Sequence, residues 1–236
     1  MLLIAVNRIH DGPAAGVDAA PRWMGESERR RWIDLRPAAR PGFVASRALL
    51  RELLQAATGV AGDAWEISAE PGTAPTARAP RGQVTMDAIH VSLSHRLGWV
   101  AAAVGAAPVG VDIECERQTR TDPGERAALM LSPAEIPAWQ ALAPHEREAA
   151  LLTRWTAKEA WFKASPPEVA RWDFRHVAAR ACARADANVR GWASPSLHVA
   201  LCCADAQALA AAECGGLSST AMDESFWHVR RIASAN

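Results

Sequence analysis

Two short segments of this 236-residue chain recur further along it at almost the same spacing, and a chain that repeats its own pattern is constrained to build one kind of unit twice. Ile89-His-Val-Ser-Leu93 resembles Leu197-His-Val-Ala-Leu201 at a shift of 108. Arg51-Glu52, followed by apolar residues, resembles Lys158-Glu159 at a shift of 107. The order of local signals agrees with a duplication. Leucines recur at helical spacing over residues 46–54, and Gly59 offers a stop. Residues 69–83 form a Pro- and Gly-rich loop carrying Arg78 and Arg81. Strand-like runs follow at 89–94 and 99–104, with residues 95–98 as the hairpin turn, and a third strand at 109–114. After short proline-broken segments comes a helix over about 146–164, stopped by Ser165-Pro166-Pro167, then strands near 197–203 and 226–232. The expected fold class is α+β, with two similar halves. The expected boundary lies at residue 108, giving halves 1–108 and 109–236.

Charge and cysteine usage remove several function classes. The 26 basic residues balance the 26 acidic ones and the isoelectric point is near 7.1, so the broad basic field that nucleic-acid binding requires is missing. The five cysteines are odd in number and contain no C-x-x-C pair, which points to reduced thiols in a cytoplasmic protein. The longest apolar run, residues 99–111, falls short of the roughly 20 residues that span a bilayer. Only two of the basic residues are lysine, Lys158 and Lys163, and they sit five positions apart. In a chain that otherwise uses arginine, this pair asks for a specific reason.

Three constellations carry potential chemistry. On the helix 146–164, Glu159 falls on the same apolar stripe as Leu151, Leu152, Trp155 and Phe162, and Lys163 follows one turn later. A carboxylate on an apolar stripe must be protonated, paired or bound to a metal; the plain alternative is an exposed i,i+4 pair. In Gly110-Val-Asp-Ile-Glu114, Asp112 and Glu114 project from one face of a strand, and two such carboxylates with a third suit Mg²⁺. A half-buried strand with one polar face fits the same pattern. Ser94-His95 closes an alternating strand, where both side chains can face a ligand or simply fill a turn. Arg47 and Arg51, one helical turn apart, can clamp a phosphate or lie solvated. No nucleophile elbow, P-loop or G-x-G-x-x-G is present. Carboxylates for a metal, a lysine beside them and scattered cations suggest metal-assisted chemistry on a phosphorylated ligand.

In order and spacing these pieces resemble the 4′-phosphopantetheinyl transferases of the surfactin-synthetase-activating type. The likeness is carried by Val91-Ser-Leu-Ser-His95 with Trp99-Val100, by Gly110-Val-Asp-Ile-Glu114, by Leu131-Ser-Pro-Ala-Glu135, and by Trp155-Thr-Ala-Lys-Glu-Ala-Trp-Phe-Lys163, over roughly residues 45–165. The resemblance implies a pseudo-dimer: two similar halves in a pseudo-twofold arrangement, each a small antiparallel sheet packed on a long helix, with the active site in the cleft between them, acting as a monomer. It also implies an Mg²⁺-dependent reaction in which the phosphopantetheine arm of coenzyme A passes to a serine of an apo acyl or peptidyl carrier protein, releasing adenosine 3′,5′-bisphosphate. Carried over, Asp112, Glu114 and Glu159 are the metal ligands, with Glu159, Lys163 and His95 as catalytic groups. Ser94, His95, Lys163, Arg47, Arg51 and one of Arg78 or Arg81 bind coenzyme A. Ala160 stands where the commoner motif has serine. The apolar run 127–131, with Arg120 and Arg126, is the expected carrier patch. Two other classes fit the residues less well: a non-catalytic coenzyme A or nucleotide-binding protein, and a metal-dependent phosphoesterase.

Overall fold

The computed structural model of the chain describes residues 1–9, 19–80, 82, 88–116, 122–169, 173–217 and 222–232. In chain order the elements are β1 (Leu2–Arg8), α1 (Glu26–Asp34), α2 (Arg40–Thr58), β2 (Glu66–Ile67), β3 (Ala77–Arg78), β4 (His90–Arg96), β5 (Trp99–Gly105), β6 (Val109–Cys115), α3 (Pro123–Met130), α4 (Ile136–Gln140), α5 (Arg147–Ala164), β7 (Val177–Ala181), β8 (Val189–Ser194), β9 (Leu197–Cys203), α6 (Ala206–Ala211), β10 (Cys214–Gly215) and β11 (Asp223–Arg231). One sheet has the strand order β10-β1-β5-β4, and a second has the order β6-β9-β8-β11-β7. Every pairing in both is antiparallel except β1 with β10. The α+β class expected from the patterning is the one observed. Among the described residues no helix is long and apolar enough to cross a membrane.

Period-two alternation divides the side chains of β5 between two cores. Val100, Ala102 and Val104 pack with Leu50 and Leu54 of α2, while Ala101 and Ala103 join Ile4, Val6, Val111, Ile113 and Leu201 in a core shared by both sheets. On β6 the same alternation sends Val109, Val111 and Ile113 into that shared core. Gly110 faces α5 so closely that a Cβ there would lie 2.0 Å from the Ala160 carbonyl oxygen. Helix and strand therefore touch backbone to backbone, which places the last two turns of α5 directly over Asp112. Ala160 is fully buried at this contact, where a serine would have to satisfy its hydroxyl.

A correspondence at an offset of 107 runs deeper than the two sequence matches. Arg51 makes a bidentate, buried pair with Glu28 (2.8 and 2.5 Å), and Glu28 also caps the Gly25 amide. Lys158 donates to Glu135 (2.6 Å), and Glu135 likewise caps Ser132. Each member of the second set lies 107 positions after its counterpart: 25 to 132, 28 to 135, 51 to 158. Arg40 over Trp32 is matched in the same way by Arg147 over Trp139. The other sequence match does not pair equivalent strands. In the first sheet β1 pairs with β5, and in the second β6 pairs with β9, so the counterpart of β9 is β5 and that of β4 is β8. The likeness of residues 89–93 to 197–201 reflects two strands with the same apolar alternation.

The β4–β5 turn is tighter than expected. β4 continues through His95 and Arg96, and the chain reverses at Leu97-Gly98, both with positive φ (44° and 85°). His95 is thus a strand residue held by pairing with Val100.

Candidate active site

β4 and β6 lie edge to edge without backbone pairing, and serine side chains bridge them. The Val111 amide donates to Ser92 Oγ (3.0 Å), and Ser94 Oγ donates to Asp112 Oδ1 (2.9 Å). Lys163 reaches over from α5 and donates to the same Oδ1 (2.7 Å) and to the Val111 carbonyl (3.1 Å). Ser94, Asp112 and Lys163, predicted separately from three motifs, form one hydrogen-bonded chain. The other carboxylate oxygen, Asp112 Oδ2, is buried without a hydrogen-bond partner. Lys163 engages Asp112 rather than closing an i,i+4 pair with Glu159.

Glu159 is half-buried beside this chain. Burial, and then the negative charges of Asp112 and Glu114, push its carboxyl up to about 7 against the opposing pull of Lys163. Glu114 lies 2.9 Å from Arg96 Nε as an ion contact, but that N–H is not aimed to form a hydrogen bond. Among the described residues no three His, Cys, Asp or Glu side chains stand together in a ready metal-binding group. The partnerless Asp112 Oδ2 and the raised carboxyl of Glu159 nevertheless fit a cation, since a positive charge there would satisfy the one and ionise the other.

Lys163 and Arg96 contact these carboxylates, and His95 and Arg47 lie close to those two cations. Desolvation, followed by the charges of Lys163, Arg47 and Arg96, pushes His95 toward its neutral form. Arg47 is buried with Nε and Nη1 unpaired, its guanidinium 5.0 Å over the Phe43 ring. Burial lowers its pKa to about 10, Arg51 adds to the lowering and Glu28 opposes it. A buried guanidinium with free donors is a strong site for an oxyanion.

Arg51 corrects the expectation of a two-arginine clamp. Both of its terminal nitrogens are held by Glu28, one also reaching the Trp65 carbonyl, so it braces α1 against α2 and presents no free fork. Arg78 is exposed on β3 and lines a separate groove with Ser27, Glu66 and Thr76. Arg81 and Arg120 lie outside the described residues. The carrier patch also shrinks: Ala127 and Leu131 are buried and Arg126 is bound to Glu148, leaving Ala128 and Leu129 exposed and Met130 partly so. The segment is the amphipathic helix α3 instead of an uncovered run.

A cavity of about 700 Å³ opens beside Glu159 and Lys163, walled by Val91, Leu93, Phe162, Phe174 and residues 72–75. Its walls are largely apolar, with Glu159 and Lys163 as the charged groups among them, the composition of a ligand site with a few polar groups to fix orientation. Sequence reasoning missed Arg96 and Ser92. Arg96 carried no signal beyond adjacency to His95, and Ser92 followed from strand alternation alone.

Residues 108–212 match the model of the 4′-phosphopantetheinyl transferase superfamily. The matched segment contains Asp112, Glu114, Glu159 and Lys163, whereas Arg47, Ser94 and His95 precede it. Comparison with curated proteins gives no match.

Proposed function

We propose that the chain is a 4′-phosphopantetheinyl transferase of the surfactin-synthetase-activating type, moving the phosphopantetheine arm of coenzyme A to a serine of an apo acyl or peptidyl carrier protein. The observation that carries the reading is that Lys163, bonded to Asp112, and Glu159, on which both charges act, stand beside the cavity within the segment that matches the superfamily. The two halves, 1–108 and 109–236, stand in a pseudo-twofold arrangement, the first supplying coenzyme A contacts and the second the carboxylates. The 107-residue offset of the Glu28–Arg51 and Glu135–Lys158 pairs supports that division. The enzyme acts as a monomer in the cytoplasm.

Asp112, Glu114 and Glu159 would hold Mg²⁺, which when bound supplies positive charge against the pyrophosphate. Arg47 holds the 3′-phosphate end, and Ser94 and His95 lie toward the phosphates. The serine oxygen forms a bond to the phosphorus bearing the pantetheine arm while the pyrophosphate P–O bond breaks. The electron pair leaves with adenosine 3′,5′-bisphosphate, and Lys163 offsets the charge that builds on the phosphates. Glu159, ionised by the cation beside it, would accept the serine proton.

Chromatographic detection of adenosine 3′,5′-bisphosphate tests the reading. It should form from coenzyme A and Mg²⁺ only when an apo carrier is added; release without a carrier would make the protein a phosphoesterase.

A further inference from the structure

We propose that Arg96 is an exchangeable counter-cation of the carboxylate site: it pairs with Glu114, competes there with a divalent cation, and once displaced turns its guanidinium to the anionic substrate. The inference rests on the metal-site reading above and adds a residue that no motif brought forward.

The geometry is that of an exchangeable contact. Arg96 Nε stands 2.9 Å from Glu114 Oε2 without an aligned hydrogen bond, unlike the bidentate pair of Arg51 with Glu28, and the two side chains are 29% and 15% exposed. A partly exposed pair without an aligned hydrogen bond is weaker than a bidentate one, so a doubly charged ion can displace it. Location gives the released guanidinium somewhere to go. Arg96 follows His95 on the last residues of β4, and its charge, with those of Lys163 and Arg47, already acts on the His95 imidazole. Those are the groups assigned to the phosphates, and a planar fork among them is suited to a phosphate oxygen pair. Arg96 therefore makes cation and coenzyme A binding favour each other: the cation releases the arginine, and the arginine then holds the anion.

Binding of Mn²⁺ without coenzyme A, followed by electron paramagnetic resonance, tests the competition. Arg96→Gln should bind Mn²⁺ roughly three- to tenfold tighter than the unsubstituted protein, the range expected on removing one weak competing pair. Arg96→Lys, which restores a charge without the fork, should stay close to the unsubstituted protein. At saturating Mn²⁺, coenzyme A should bind Arg96→Gln several-fold more weakly by calorimetry. Unchanged or weaker Mn²⁺ binding by Arg96→Gln, together with loss of Mn²⁺ by Asp112→Asn, would overturn the role of Arg96 alone. Unchanged Mn²⁺ binding by Asp112→Asn would overturn the metal-site reading and this inference with it.

Discussion

Glu159 and the two lysines show how burial separates chemistry from support. A carboxyl raised from 4.5 to about 7 favours the folded state only while it is protonated. That contribution is whole below pH 4.5 and is lost as pH rises through about 7. Glu159→Gln, which keeps the neutral form, should match the unsubstituted metal-free protein in urea stability at about pH 4 and exceed it by roughly 2 kcal/mol at about pH 8, discounted for the side chain's partial exposure. Equal stability at both values would remove the raised carboxyl from the account. The same variant should lose transfer. Lys158, by contrast, is fully buried between Glu135 and the Met130 and Phe174 carbonyls, with burial pushing its ammonium down against the pull of Glu135. Lys158→Met leaves the Glu135 charge without its partner and should cost about 3–5 kcal/mol in urea denaturation. Lys163→Arg should keep stability within about 0.5 kcal/mol and lower transfer sharply. The scarcity of lysine thus marks two different needs, one structural and one chemical.

At the scale of elements, the β6–α5 contact sets the distance between Asp112 and Lys163. Gly110→Ala places a Cβ against backbone at Ala160 and Ala164, so strand and helix must separate. The loss should exceed about 3 kcal/mol, read from the thermal midpoint, and Asp112–Lys163 should part with it. The β4–β5 turn offers the opposite sign. Leu97 is 63% exposed and holds a positive φ, a conformation that asparagine or glycine adopts with less strain. Leu97→Asn should therefore stabilise the protein by about 0.5–1 kcal/mol without altering coenzyme A affinity. Most of these elements were legible: the 3.6-residue stripe located α5 to within a residue, and alternation located β4, β5, β6 and β9. What was not legible was the end of β4. Residues 95–98 read as turn because glycine and polar residues cluster there, yet a two-residue turn needs only Leu97-Gly98 and leaves His95 and Arg96 in the ladder.

For the whole molecule, the site lies where β4, β6 and α5 converge, and its legibility follows from distance along the chain. Asp112, Glu114, Glu159 and Lys163 sit in local motifs whose spacing speaks for itself, while Arg96–Glu114 and Arg51–Glu28 are contacts between elements that no local pattern announces. Arg51 was read as a ligand group because helical spacing put it beside Arg47; its partner on α1, 23 residues earlier, was invisible without the fold. The two local repeats differ in what stands behind them. Arg51 and Lys158 occupy matching places, 107 residues apart, in two buried ion pairs, whereas residues 89–93 and 197–201 are two strands with similar alternation. The hydrogen-bonded chain Ser94–Asp112–Lys163, which joins the two sides of residue 108 beside the cavity, is the feature on which the functional account depends. Its most direct test is the intact mass of a purified apo carrier protein after incubation with this protein, coenzyme A and Mg²⁺. The account predicts a gain of one phosphopantetheine on the carrier serine, abolished by Asp112→Ala; a carrier mass that stays unchanged across acyl and peptidyl carriers, or a gain that survives Asp112→Ala, would contradict it.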